Sequence, residues 1–186
     1  MLKKLEVDVK PTYDMKKLIL LLFIPLVFTC DLNNKVISKV YKNSEHNLSF
    51  RYNSNWTEQE PQLESTLCLF YEKKLNASCN ISSIRADRSE VEKYDKKYHT
   101  SLTNGVYNDV KNLNVKFEKI GPSKFSVCDF DFTYPNTNSN KVYGRAIIYT
   151  TIKNGNRYMM IFTVKKENYF LLENDIFSMS STLFIL

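Results

Sequence analysis

Two histidines, four cysteines and one tryptophan stand among the 186 residues, and their spacing limits the chemistry open to them. His46 and His99 are isolated; neither belongs to a His-x-x-x-His or Glu-x-x-His pattern, which would set two ligands on one helical face. Both read as solvated or partly packed side chains, and no metal site is expected. Asp129 and Asp131 alternate within SVCDFDFTY, so a strand would place both carboxylates on one face, about 7 Å apart. Paired carboxylates can share acid–base work, but an alternating charged face turned to water explains these two more simply. Four glycines in the whole chain leave no P-loop, no dinucleotide fingerprint and no G-x-S-x-G elbow. No catalytic residue and no cofactor is expected. Tyr52 and Trp56 could form the aromatic floor of a ligand site, although a core position suits the sole tryptophan better.

The cysteines depend on the compartment. In MKKLILLLFIPLVFTC, residues 15–30, two lysines precede eleven consecutive apolar residues, Leu18 to Phe28, with Pro25 inside. A membrane-crossing helix needs about 20 apolar residues, so the run is too short to span and reads as a signal peptide over residues 15–29. Translation is expected to start at Met15, with residues 1–14 as a misassigned start. The segment Leu26-Val27-Phe28-Thr29-Cys30 resembles the box of bacterial lipoproteins. That resemblance implies cleavage after Thr29 and a lipid on Cys30. Asp31, in the next position, implies retention at the inner membrane, facing the periplasm. Simple cleavage and secretion is the alternative. Outside the cytosol a disulfide can persist. A two-residue turn at Lys73-Lys74 would set Cys68 opposite Cys79, the best single pair, and leave Cys128 a buried thiol. No C-x-x-C occurs, so redox catalysis has little support.

Composition narrows the partners. The chain carries a net charge of +6; residues 1–29 hold five lysines and three acids, so the remainder has 21 basic and 17 acidic residues, +4. The short pairs Lys96-Lys97 and Lys165-Lys166 make no concentrated basic stripe, and nucleic acid is not an expected partner. Twelve Tyr and twelve Phe with five Pro describe a packed, sheet-rich domain.

The elements that must position these residues follow from periodicity. Residues 30–45 read as a polar tether and 46–186 as one domain. Leu48, Phe50 and Tyr52 alternate as a strand; further strands are expected over Thr66–Tyr71 and Cys79–Ile84, around a turn at 73–76. Ser89-Glu90-Val91-Glu92 has the form of a capping box. Val91, Tyr94, Tyr98, Leu102 and Val106 then make a helical apolar stripe, expected to pack on the sheet. Strands over Val115–Ile120, Val127–Tyr134, Val142–Ile152 and Tyr158–Val164 follow, the last two joined through Asn154-Gly155, the strongest hairpin signal in the chain. A helix over about residues 167–178, presenting Phe170, Leu171, Ile176 and Phe177, precedes a short closing strand. The expected class is α+β: an antiparallel sheet of about six to seven strands, with a long mid-chain helix and a C-terminal helix packed on it.

LSFRYNSNW, residues 48–56, resembles the opening motif of PsbP-like and DcrB-like domains, an alternating strand followed by Tyr-Pro-x-x-Trp. Tyr52 and Trp56 match, and Asn53 stands where the family has proline. The order of later elements fits the same layout. The resemblance implies an exported or lipid-anchored accessory or binding protein with no activity of its own. It would touch the membrane through its lipid and act on a protein partner of unknown identity. A secreted interaction or virulence protein, and an exported hydrolase with a site assembled by the fold, are the alternatives.

Overall fold

Asn154 and Gly155 both hold positive φ, 52° and 75°. These are the values a type I′ turn requires, and they join two long strands with the register Lys153↔Asn156 through Gly144↔Lys165. In the computed structural model, which describes residues 37–134 and 141–186, this hairpin is the centre of the larger sheet. The strands of the unit 37–186 are β1 Ser38–Asn43, β2 Leu48–Asn53, β3 Trp56–Gln59, β4 Thr66–Glu72, β5 Ala77–Arg85, β6 Asn108–Ile120, β7 Ser123–Thr133, β8 Tyr143–Lys153, β9 Asn156–Lys165 and β10 Phe184–Ile185. Seven of them form an antiparallel sheet in the order β3-β4-β5-β9-β8-β7-β6. After β5 the chain crosses to the far edge through helix α1, Lys96–Asn104, and walks back by hairpins until β9 pairs with β5. β1, β2 and β10 form a second, three-stranded sheet, and helix α2, Tyr169–Ser181, runs beside β2. The α+β expectation holds.

The two faces of the large sheet carry different cores. One face sets Phe70, Ile81, Phe125, Val127, Met160 and Phe162 against Leu48 and Phe50 of β2 and Leu172, Ile176 and Met179 of α2. The other holds Cys128, Phe130, Phe132, Ala146 and Ile148, closed by Tyr107, just before β6, and by Val110, Leu113 and Val115 from β6. Here Gly144 is a matter of space: a Cβ would fall 2.6 Å from Phe132 Cε1 and 2.8 Å from Tyr134 Cε2. β6 starts earlier than its alternation suggests. Asp109 and Asn112 take positive φ, 50° and 54°, at two register shifts against β7, so the bulges hide the period of two.

Several expectations need correction. Residues 38–43, read as tether, form β1: Tyr41 packs on Phe50 at 5.2 Å and on Phe70 at 5.5 Å. The capping box does not form. Residues Val91–Lys93 make a single 3₁₀ turn, and α1 starts at Lys96, with Asp95 accepting a bond from the Tyr98 N–H at 2.9 Å. Glu92 pairs instead with Lys124. The stripe is correspondingly displaced. Tyr94, His99 and Thr103 are buried, Val91, Tyr98 and Leu102 are half-buried, and Val106 is exposed. Polar anchoring outweighs the apolar period, because Ser126 on the sheet holds both His99 and the Tyr94 carbonyl. In α2 the inward residues are Leu172, Ile176 and Met179; Phe170, Leu171 and Phe177 face outward.

Candidate functional site

Arg157 is the second residue of β9, and its guanidinium lies under α1 with 7% of the residue exposed. Its Nη1 donates to Asp87 Oδ1 at 3.1 Å and to the Tyr98 hydroxyl, and it sits 5.6 Å from the ring centroids of both Tyr94 and Tyr98. Tyr94 also donates to Asp87, at 3.0 Å. Burial first, then this bond to Asp87, pushes the Tyr94 phenol up to about 12. Burial likewise raises Tyr98, against the opposing charge of Arg157. Beside them His99 is sealed from solvent, with Nε2 3.0 Å from Ser126 Oγ, which in turn donates to the Tyr94 carbonyl at 2.5 Å. Burial lowers the imidazole to about 4, with Asp95 pulling the other way, so it is neutral at physiological pH. The reading of His99 as solvated or partly packed was wrong: it is a buried strut. Its Nδ1 and Arg157 Nε are buried without partners among the described residues.

Above this cluster opens a cleft of about 500 Å³, lined by Arg88, Lys93, Asp95, Lys97, Tyr98, Ser101 and Leu102. Arg88 lies over the Tyr98 ring at 5.2 Å. Three cations face one carboxylate, and that carboxylate already accepts from the start of α1. The cleft offers a half-apolar floor with positive walls, which suits an acidic ligand or partner surface. Reading 91–106 as an apolar stripe hid it, since the stripe left the hydroxyls of Tyr94 and Tyr98 out of account. Arg157 gave no signal at all: it occupies an ordinary alternating strand position.

The other singled-out residues are structural. Asp129 and Asp131 do share a strand face, but it turns inward beside the start of α2. Asp129 accepts from Arg145 Nη2 at 3.2 Å, and Arg145 lies 4.5 Å over the Tyr169 ring. Asp131 is buried and accepts from Lys166 at 2.8 Å and Asn112 at 2.7 Å. Burial works against its charge, yet the bonds from Lys166 and Asn112 hold the carboxyl below its ordinary value. Trp56 is not a ligand floor. It is 2% exposed, stands edge-on to Phe162 at 6.4 Å, and donates Nε1–H to Asp175 Oδ2 at 2.9 Å. Asn53 and Asn55 also donate to Asp175, so the Tyr-Asn-x-x-Trp motif is stapled to α2. Tyr52 packs on Phe70 at 4.7 Å. His46 is half-buried, its backbone N–H on the Asn43 side chain.

Cys68 does not face Cys79. The turn at 73–76 has four residues with Asn76 at φ 52°, which moves the register to Cys68↔Ile81 and Phe70↔Cys79. Cys68, Cys79 and Cys128 are free, buried thiols. Burial pushes Cys68 and Cys128 up to about 12, and Cys79 upward as well. Cys30 lies outside the described residues. Among the described residues no helix is long and apolar enough to cross a membrane, and no group of three metal-ligating side chains occurs.

No protein-family model and no curated protein matches the chain. Solved structures do match its fold. A cyanobacterial PsbP (CyanoP) from Synechocystis is 11% identical over 85% of this chain and 98% of its own, with a TM-score of 0.57. A protein from Bacteroides thetaiotaomicron is 17% identical over 80% of this chain, TM-score 0.55; the chain spans 48% of that structure's length. The Saccharomyces cerevisiae Ran-binding protein Mog1p is 7% identical over 81% of this chain and 96% of its own, TM-score 0.53. At these identities the likeness is one of architecture. The chain has a PsbP-like α+β fold.

Proposed function

We propose that the protein is an exported accessory domain, held at the cell envelope by a lipid on Cys30, which binds an acidic partner through the α1 cleft and carries out no chemistry of its own. The cleft carries the reading. Its cations are exposed, with Arg88 over the Tyr98 ring and Lys93 beside Glu90 at 3.8 Å, whereas the groups that resemble catalytic ones are occupied in structural contacts. The fold is compatible with such a role, as Mog1p is described as a Ran-binding protein, though fold does not fix function.

Two measurements test it. Lys93→Glu with Lys97→Glu, at exposed positions, should leave Tm unchanged within about 2 °C yet abolish complementation of a deletion strain. Full complementation by the folded double variant would remove the cleft from the function. Separately, the native protein should partition into detergent with an acylated N-terminus, and Cys30→Ala should abolish both properties. An unmodified N-terminus in the aqueous phase would overturn the anchor.

A further inference from the structure

Seven of the twelve large apolar side chains that stand exposed among the described residues belong to one layer: the small sheet, the residues that flank it (Ile37 and Leu186), and α2. An exposed apolar concentration of this kind marks an interaction surface. The register shows how it is built. On the outward face of the small sheet, Val40 stands opposite Arg51, and Ser49 lies between Lys42 on β1 and Phe184 on β10. Leu186 follows, and α2 adds the exposed Phe177, which stands towards the β6–β7 turn. Val40, Phe177, Phe184 and Leu186 are 55%, 71%, 42% and 59% exposed. Lys42 and Arg51 form no salt bridge among the described residues, and the strand positions of this face carry no acid. On α2, Asp175 is taken up by Asn53, Asn55 and Trp56, which leaves Glu173 as the exposed acid of the helix. Apolar side chains interleaved with unpaired cations suit an anionic lipid surface.

Chain length selects that occupant. β1 starts at Ser38, eight residues after Cys30. Eight residues span at most about 28 Å when fully extended, so a lipid on Cys30 would keep this layer beside the headgroups. We infer that the outward face of the small sheet and α2 rests on the anionic membrane surface and orients the domain. The inference rests on the anchored reading proposed above. It gives the two faces of the large sheet separate tasks. α1 packs on the face of Ser126, opposite the face that carries the small sheet and α2, so docking leaves the cationic cleft turned away from the lipid.

The test couples the chain from Cys30 onward, which retains the whole unit 37–186, to a maleimide headgroup lipid. The coupling is selective because the other three thiols are buried. Vesicles contain phosphatidylglycerol and brominated phosphatidylcholine. Tryptophan introduced by Phe184→Trp or Phe177→Trp should shift to the blue and be quenched at least threefold more than one introduced by Val106→Trp, on the α1 side. Lys42→Glu with Arg51→Glu should remove most of that difference. Equal quenching at all three positions would overturn the docking face. So would a blue shift that needs no vesicles and accompanies a dimer in sedimentation, which would assign the face to a second copy of the chain. Artificial coupling keeps this result separate from whether the cell acylates Cys30.

Discussion

His99 shows how one buried titratable residue fixes a pH dependence. Folded, it is neutral down to about pH 4; unfolded, it takes up a proton below about pH 6.5. The unfolded state therefore binds more protons in that window. The stability associated with the neutral imidazole is complete above pH 6.5 and falls as pH drops towards 4, by about 3 kcal/mol at most. Denaturation followed between pH 7 and pH 4 should show this slope, and His99→Gln should flatten it; an unchanged slope would mean that His99 is not the titrating group. Asp175 is the second residue with consequences beyond its size. Three donors converge on its carboxylate, one of them the indole of Trp56. Asp175→Ala should cost about 1–3 kcal/mol, since a buried N–H loses its partner. A cost near zero would show that the staple is optional. The thiols make a third test. None of Cys68, Cys79 and Cys128 should react with an aromatic disulfide reagent in the native protein, and all three should react in denaturant. A denatured count lower by two would reveal a disulfide.

At the scale of elements, the Asn154-Gly155 hairpin and the presence of both helices were legible; the start of α1, the inward side of α2 and the register of β4 on β5 were not. Asn154-Gly155 can be read because a two-residue turn demands positive φ at both positions, and few residue pairs tolerate that. The start of α1 was misread because Ser89 and Asp95 are both competent caps; Tyr94 enters the core just before Asp95, and that packing selects the second. Asp95→Ala should therefore cost about 1 kcal/mol, whereas Ser89→Ala should fall within about 0.5 kcal/mol of the parent, as for an exposed residue. Equal losses in thermal unfolding would restore the earlier start. α2 was misread for a related reason. It is apolar on both sides, so sequence alone does not say which side the sheet takes.

For the whole molecule, alternation revealed the sheet because burial on one face repeats every second residue, as at Phe125 and Val127 or Met160 and Phe162. The cleft stayed hidden although its lining, from Arg88 to Leu102, is one continuous stretch: an apolar stripe passes over the cations set between its members, and the support under Tyr98, Arg157, comes from a distant strand. The domain boundary failed differently. SKVYKN looks polar, yet Tyr41 carries the strand. Its ring closes over Phe50 and Phe70, and its hydroxyl donates to the Leu67 carbonyl at 3.1 Å, joining the small sheet to the large one. A chain that starts at His46, the boundary expected from composition, would lose this ring and leave the edge of β2 unpaired from Leu48 to Asn53. Losing a well-packed aromatic costs about 3–5 kcal/mol; Tyr41 is only half-buried, so about 3 kcal/mol is the reasonable figure for ring and ladder together. For a domain of this size that lowers Tm by about 6–12 °C. A chain that starts at Ile37 keeps β1 and should melt like the chain that starts at Cys30. If the chain starting at His46 melts at the same temperature as the one starting at Ile37, β1 is an accessory strand, and the small sheet does not depend on it.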